Sequence, residues 1–211
     1  MAITLYDLTL DTKDEIWSPN TLKARIALNI KGLEYETEWL TFFDVHSKIP
    51  DITKTGVRPT VPVIVQQNSQ DDDHAVQDSW EIVKYLDTAY PNTPRLIKGD
   101  NEGLQFFLYK YIHISLLFPI FKLCLFTIHK KCSPQPIQDW FRENREATFK
   151  MTLEQFAGDP ATHLASIKSA LGFVHTTLQE YPYLNGEKVG FADVTLASCY
   201  KMLATLRQDI F

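Results

Sequence analysis

The sequence predicts two domains of different class, an α/β domain over residues 1–90 and an all-α domain over residues 99–211, joined by a linker at 91–98. Three observations predict this. The chain opens with a short apolar run, an amphipathic segment and an alternating run, in the order strand, helix, strand. Two further strand-like runs and an amphipathic segment follow, ahead of Pro91 and Pro94. From Gly99 onward strand patterning stops and apolar residues recur at helical spacing.

Ile3-Thr4-Leu5-Tyr6-Asp7-Leu8 reads as the first strand, and the polar stretch Asp11 to Glu15 as a loop. In Trp17-Ser18-Pro19-Asn20, Ser at N-cap and Pro at the first helical position mark a helix start. Leu22, Ile26 and Ile30 recur every four residues, and Gly32 stands where a C′ residue belongs, so the helix ends near Lys31. Tyr35, Thr37 and Trp39 alternate with Glu36, Glu38 and Leu40, the period of a half-buried strand. Strands flanking a helix of this length pair in parallel through a right-handed crossover, which makes the opening a βαβ unit. Phe42 to Val57 reads as irregular.

Val61-Pro62-Val63-Ile64-Val65 reads as a strand beginning beside a proline, Asn68 to Asp73 as a hairpin turn and His74-Ala75-Val76-Gln77 as the returning strand. Asp78 and Ser79 both suit an N-cap, and Ile82, Val83 and Leu86 give the following helix an apolar face. A βαβ unit followed by ββα is a thioredoxin-like arrangement. In the second half Leu104, Leu108, Ile112 and Ser115 form the expected buried stripe of the first helix, with Phe118-Pro119 as a candidate kink. Leu164, Ile167, Leu171, Val174, Leu178 and Tyr181 mark the clearest amphipathic helix of the chain.

A length of 211 residues with 45% hydrophobic content is enough to bury a core. With a net charge of −5 and no Lys/Arg stripe, nucleic acid is excluded as a partner. Cys124, Cys132 and Cys199 are an odd number without a C-x-x-C pair, which fits a reducing, cytoplasmic setting, and no metal-ligand spacing is present. Met1 to Leu10 lacks the basic and apolar regions of a signal peptide. Ile112 to Ile128 is apolar, but Pro119 and Lys122 interrupt it and it falls short of the roughly 20 residues of a membrane span. No membrane partner is expected.

Three motifs could carry chemistry. Ser18-Pro19 is explained by helix capping alone, yet it follows the first strand of a thioredoxin-like pattern, where redox relatives place C-x-x-C. A hydroxyl there donates to a bound thiolate, which the helix N-terminus also favours. Val61-Pro62 either begins a strand or, with a cis bond, turns the Val61 backbone outward to pair with an extended peptide. Gln77-Asp78-Ser79 either caps a helix or holds a carboxylate at free N–H groups, with Asp78 beside an amino group. Together they describe a groove for a small thiol peptide with an amino-acid-like end.

These residues resemble the glutathione transferases. Ser18-Pro19-Asn20-Thr21-Leu22-Lys23-Ala24-Arg25-Ile26-Ala27-Leu28, with Lys31-Gly32-Leu33-Glu34-Tyr35-Glu36, looks like the first helix and second-strand entry of serine-type members. Val61-Pro62 matches the family's cis-proline site, and Asp78-Ser79 its acidic-Ser pair. Gly190-Phe191-Ala192-Asp193-Val194-Thr195-Leu196-Ala197 resembles a helix start in the family's all-α domain, with Gly190 where Ser or Thr is common and Asp193 reaching back as a structural cap. The Trp17-Ser18-Pro19-Asn20 context and Thr37-Glu38-Trp39 look most like the fungal class related to bacterial β-etherases.

The resemblance implies the glutathione transferase fold and glutathione as co-substrate without a metal, with Ser18 as thiolate donor. Val61 and Pro62 would pair with the cysteinyl unit, Asp78 and Ser79 hold the γ-glutamyl end, and Lys48 or Arg58 meet the glycine carboxylate. Asn20, Tyr111, His113 and Phe118 are the candidate substrate-pocket residues. It also implies conjugation of hydrophobic, aromatic electrophiles or cleavage of aromatic ethers, in the manner of detoxification enzymes, or else carriage of aromatic small molecules; a homodimer is expected. Relatives continue past the position of Phe211, so either the chain is truncated or the electrophile site is more open than usual.

Overall fold

The computed structural model describes residues 2–12, 14–67, 74–97 and 99–210. The hairpin turn expected at Asn68 to Asp73 and the last linker residue, Lys98, lie outside the described residues. The chain forms two compact units, Met1–Leu96 and Ile97–Phe211.

In the first unit the order is β1 (Ile3–Leu8), α1 (Pro19–Ile30), β2 (Glu36–Leu40), α2 (Phe42–Thr53), β3 (Val63–Gln66), β4 (His74–Gln77) and α3 (Ser79–Ala89). The sheet runs β2-β1-β3-β4. β1 and β2 are parallel, as a βαβ crossover requires, and β1–β3 and β3–β4 are antiparallel. Ile3, Leu5, Val63 and Ile64 of the sheet are buried, as are Ala24, Ala27 and Leu28 of α1 and Ile82, Val83 and Leu86 of α3. Helix α1 stops where Gly32 takes φ 65°, a conformation glycine adopts without a Cβ penalty.

The stretch read as irregular contains α2, a finding that corrects the sequence reading. Thr41 accepts a bond from the Asp44 N–H at 3.1 Å and Asp44 accepts one from the Thr41 N–H at 3.0 Å, a complete capping box. Phe42, Val45 and Ile49 are its buried face. Pro50 in the helix hid the signal. Two buried ion pairs brace the unit: Arg25 with Asp7 at 2.8 Å, and Lys31 with Asp87. Lys31 also donates to the Pro94 carbonyl and Asp87 accepts the Leu96 N–H, which ties the segment after α3 back onto both helices.

The second unit is helical: α4 (Glu102–Ile112), a π-helical turn (His113–Leu117), α5 (Phe118–Lys131), α6 (Gln135–Phe149), α7 (Leu153–Ala157), α8 (Pro160–Glu180) and α9 (Phe191–Leu206). The π turn lies immediately before Phe118-Pro119, at the expected kink. The run Glu102–Lys131 is helical throughout and, by length and composition alone, long enough to cross a membrane, more than the apolar window in the sequence indicated. Half of its apolar window is buried.

Two expected stripes shift. On α4 the buried residues are Gln105, Tyr109 and Ile112, while Leu104 is 59% exposed. Gln105 faces inward because its Oε1 accepts the Ala192 N–H at 2.9 Å and its Nε2 donates to Asn185 at 2.7 Å. On α8 only Ile167, Ala170 and Val174 are buried. Leu164, Leu171, Leu178 and Tyr181 remain exposed, because α8 packs on α5 and the π turn along one narrow side.

Candidate functional site

Strand register brings the three sequence motifs together. Tyr6 pairs with Val63, and Val63 with Gln77, across three adjacent strands. β1 runs past Tyr6 toward Ser18, β3 begins just after Val61-Pro62, and β4 ends just before Asp78-Ser79. All three motifs therefore leave the sheet at one end. The Asp78 N–H donates to the Pro62 carbonyl at 3.2 Å and joins two of them directly.

Ser18 is the N-cap of α1 in an extended conformation, φ −68° and ψ 119°, yet no side chain caps this helix. Its carbonyl accepts the Leu22 N–H at 2.9 Å and the Thr21 hydroxyl at 3.1 Å, while its own hydroxyl makes no hydrogen bond to the described residues. The first-turn N–H groups of α1 thus keep their partial positive charge beside an unengaged hydroxyl. Trp17, buried against Phe42 at 6.1 Å between ring centroids, fixes the chain that enters this turn.

The Val61–Pro62 bond is cis, the alternative the sequence left open; a second cis bond, Ser133–Pro134, was not foreseen. Asp78 has φ 82° and ψ 135°, a backbone conformation that costs a non-glycine residue free energy and that clusters at ligand sites. It caps α3, its Oδ1 accepting the Trp80 N–H at 2.8 Å. Ser79 is the first residue of α3, buried, with a hydroxyl that makes no hydrogen bond to the described residues.

Of the two basic candidates, Lys48 stands on α2 in a surface ion pair with Asp44 at 3.1 Å. Arg58 lies in the exposed loop before Val61, and its guanidinium has no ion pair among the described residues. Asn20 sits in the first turn of α1 and accepts from the Lys23 ammonium at 3.0 Å. In the helical unit Tyr111 and Phe118 line one cavity of about 660 Å³, together with Lys122, His163 and Phe173. His113 does not line this cavity; its ring packs edge-on against Tyr109.

Lys122 and His163 were missed. Lys122 showed only as a break in an apolar run, and its ammonium lies 5.2 Å from the Phe118 ring centre. Burial pushes the Cys124 thiol up to about 12, which leaves it inert as a nucleophile at neutral pH. Among the described residues no group of three or more His, Cys, Asp or Glu could hold a metal ion.

Comparison with known proteins decides the family. A family model described as the glutathione S-transferase C-terminal domain matches residues 103–209, and one for the glutathione S-transferase N-terminal domain matches residues 17–89. The chain belongs to the glutathione S-transferase family. Its thioredoxin-like sheet unit and its helical unit are the two parts of the glutathione S-transferase fold. The glutathione transferase GSTFuA3 of Phanerochaete chrysosporium is 32% identical, with a TM-score of 0.84 over 97% of this chain and 85% of that one. The glutathione S-transferase CsGST63524 of Ceriporiopsis subvermispora, solved in complex with glutathione, is 26% identical with a TM-score of 0.83 at the same coverage. The glutathione S-transferase-like protein ustS of Aspergillus flavus is 23% identical over 90% of this chain and 75% of its own length. The fungal likeness expected from the Ser18 context agrees with these relatives.

Proposed function

We propose that this glutathione S-transferase family member is an enzyme that binds glutathione at the sheet end bearing Ser18, Val61 and Asp78-Ser79, and conjugates its thiolate to hydrophobic, aromatic electrophiles, aryl ethers included. The observation that carries the reading is the unengaged Ser18 hydroxyl at an uncapped helix N-terminus, on the same sheet end as the other two motifs. In this reading the hydroxyl donates to the sulfur and the α1 N-terminus stabilises the negative charge. A free thiol titrates near ~8.5, and a drop of about two units, or ~2.7 kcal/mol of differential stabilisation, makes it mostly thiolate at neutral pH. The thiolate forms a new C–S bond as the bond to the leaving group breaks, and the leaving group departs with the electron pair.

The Val61 N–H and C=O serve the cysteinyl unit. Asp78 uses its Oδ2 for the γ-glutamyl ammonium, since Oδ1 already caps α3. The Ser79 hydroxyl and N–H take the adjacent carboxylate. Arg58 is preferred over Lys48 for the glycine carboxylate, because Lys48 is paired with Asp44. Tyr111 and Phe118 are assigned to the aromatic partner. Homodimeric assembly and a cytoplasmic setting complete the proposal.

Ser18→Ala tests it. Conjugation of a chlorodinitrobenzene-type electrophile should fall about 100-fold in kcat/KM while glutathione affinity changes less than about two-fold, as expected when a donor acts on developing charge rather than on binding. Unchanged turnover overturns the role of Ser18. A native protein that holds glutathione but conjugates nothing is a carrier instead.

A further inference from the structure

The β3–β4 ladder ends at the pair Val63 and Gln77, and beyond it both segments leave the sheet. One more main-chain bond crosses between them, from the Asp78 N–H to the Pro62 carbonyl. There the Gln77 side chain takes over from the backbone. Its Nε2 donates to the Arg58 carbonyl and to the Thr60 hydroxyl oxygen, both at 2.8 Å. A carbonyl can only accept, so the amide must present its NH₂ group to Arg58 and its orientation is decided by bonding. Its Oε1 is enclosed and meets no donor among the described residues.

Val61 consequently lies between two anchors, Thr60 held by the Gln77 side chain and Pro62 held by the Asp78 backbone. The Val61 N–H and C=O make no hydrogen bond to the described residues. Val57, Arg58 and Thr60 are exposed, so little packing restrains this loop apart from the amide bridge. A loop fixed before the ligand arrives spares binding the entropy of ordering it.

We infer that Gln77 is a positioning residue that presets the Val61 backbone and the Arg58 main chain for the thiol peptide. The inference rests on the proposed reading that Val61 pairs with the cysteinyl unit of glutathione. Gln77 touches neither the sulfur nor the electrophile in this scheme, so its effect belongs to glutathione binding and not to the chemical step.

The test compares wild type with Gln77→Leu, which removes both bonds, and Gln77→Glu, which keeps the shape but replaces the donor by an acceptor. Glutathione Kd by calorimetry and glutathione KM should rise about 10-fold in Gln77→Leu and about three-fold or more in Gln77→Glu, whose carboxylate can still accept the Thr60 hydroxyl, with kcat changed by less than about two-fold in either, because the lost hydrogen bonds act on binding alone. Backbone NMR order parameters without ligand should fall at Arg58, Thr60 and Val61 and stay unchanged in β1 and α1. Thr60→Val, which removes one of the two bonds and leaves Gln77 intact, should raise Kd by about three-fold and serves if either Gln77 variant folds poorly. Wild-type glutathione affinity in variants with lowered loop order parameters overturns the positioning role. Unchanged order parameters overturn the bridge itself. If wild type binds no glutathione, the functional reading falls, and the inference with it.

Discussion

A Cβ at position 190 would lie 2.7 Å from Cβ and Cγ of Asn185 and 3.0 Å from Oε1 of Gln105, so Gly190 stands at a close approach of three segments. The usual Ser or Thr hydroxyl has no room there. Gln105 supplies the missing acceptor from a different helix, taking the Ala192 N–H, while Asp193 takes the N–H groups of Gly190 at 2.9 Å and Leu184 at 2.6 Å. Asn101 and Gln105 both donate to the Asn185 side-chain oxygen and complete the network. Gly190→Ser should therefore destabilise the protein by about 1–3 kcal/mol in urea unfolding, although serine is the better N-cap in an isolated helix. Gln105→Leu should cost a similar amount, about 1–3 kcal/mol, by leaving a buried N–H unpaired. A Gly190→Ser protein more stable than wild type would show that the cap, not the crowding, decides this position.

Among the elements, α2 owes its start to Thr41 and Asp44. Partial burial opposes ionisation of Asp44, but the hydroxyl and N–H of Thr41 and the Lys48 ammonium outweigh it and hold the carboxyl below its ordinary value. A carboxyl lowered in the folded state contributes stability that is complete above the ordinary carboxylate range and is lost as pH falls through the folded value. Thr41→Ala should lower stability by about 1 kcal/mol at neutral pH and weaken the acid dependence of unfolding. Equal stability across pH in both proteins would contradict the cap. The T-x-x-D spacing was present in the sequence, ahead of Phe42, Val45 and Ile49. It was masked by Pro50, which lies inside the helix, where a proline removes an i→i−4 hydrogen bond and argues against a helix.

Over the whole molecule, the strands, α1, α3 and the change to an all-helical second unit were legible because period and turn residues are local properties. The grouping of Ser18, Val61-Pro62 and Asp78-Ser79 was legible only as an order of motifs, since their meeting depends on the register Tyr6–Val63–Gln77. What stayed hidden arises from long-range contacts. Gln105 is a polar residue turned inward to serve a helix 87 positions away, and the Gln77 bridge joins residues 17 and 19 positions apart. The orientation of the Ser18 hydroxyl, undecidable from Ser-Pro alone, is settled to the extent that it does not bond back into its own helix. The central claim, that this end of the sheet holds glutathione and acidifies its thiol, is tested most directly by ultraviolet titration of the bound thiolate in wild type and Ser18→Ala. The account predicts a bound thiol that titrates about two units below the ~8.5 of a free thiol in wild type and returns toward it in the variant. A bound thiol with the same pKa as free glutathione in the wild-type protein would contradict it.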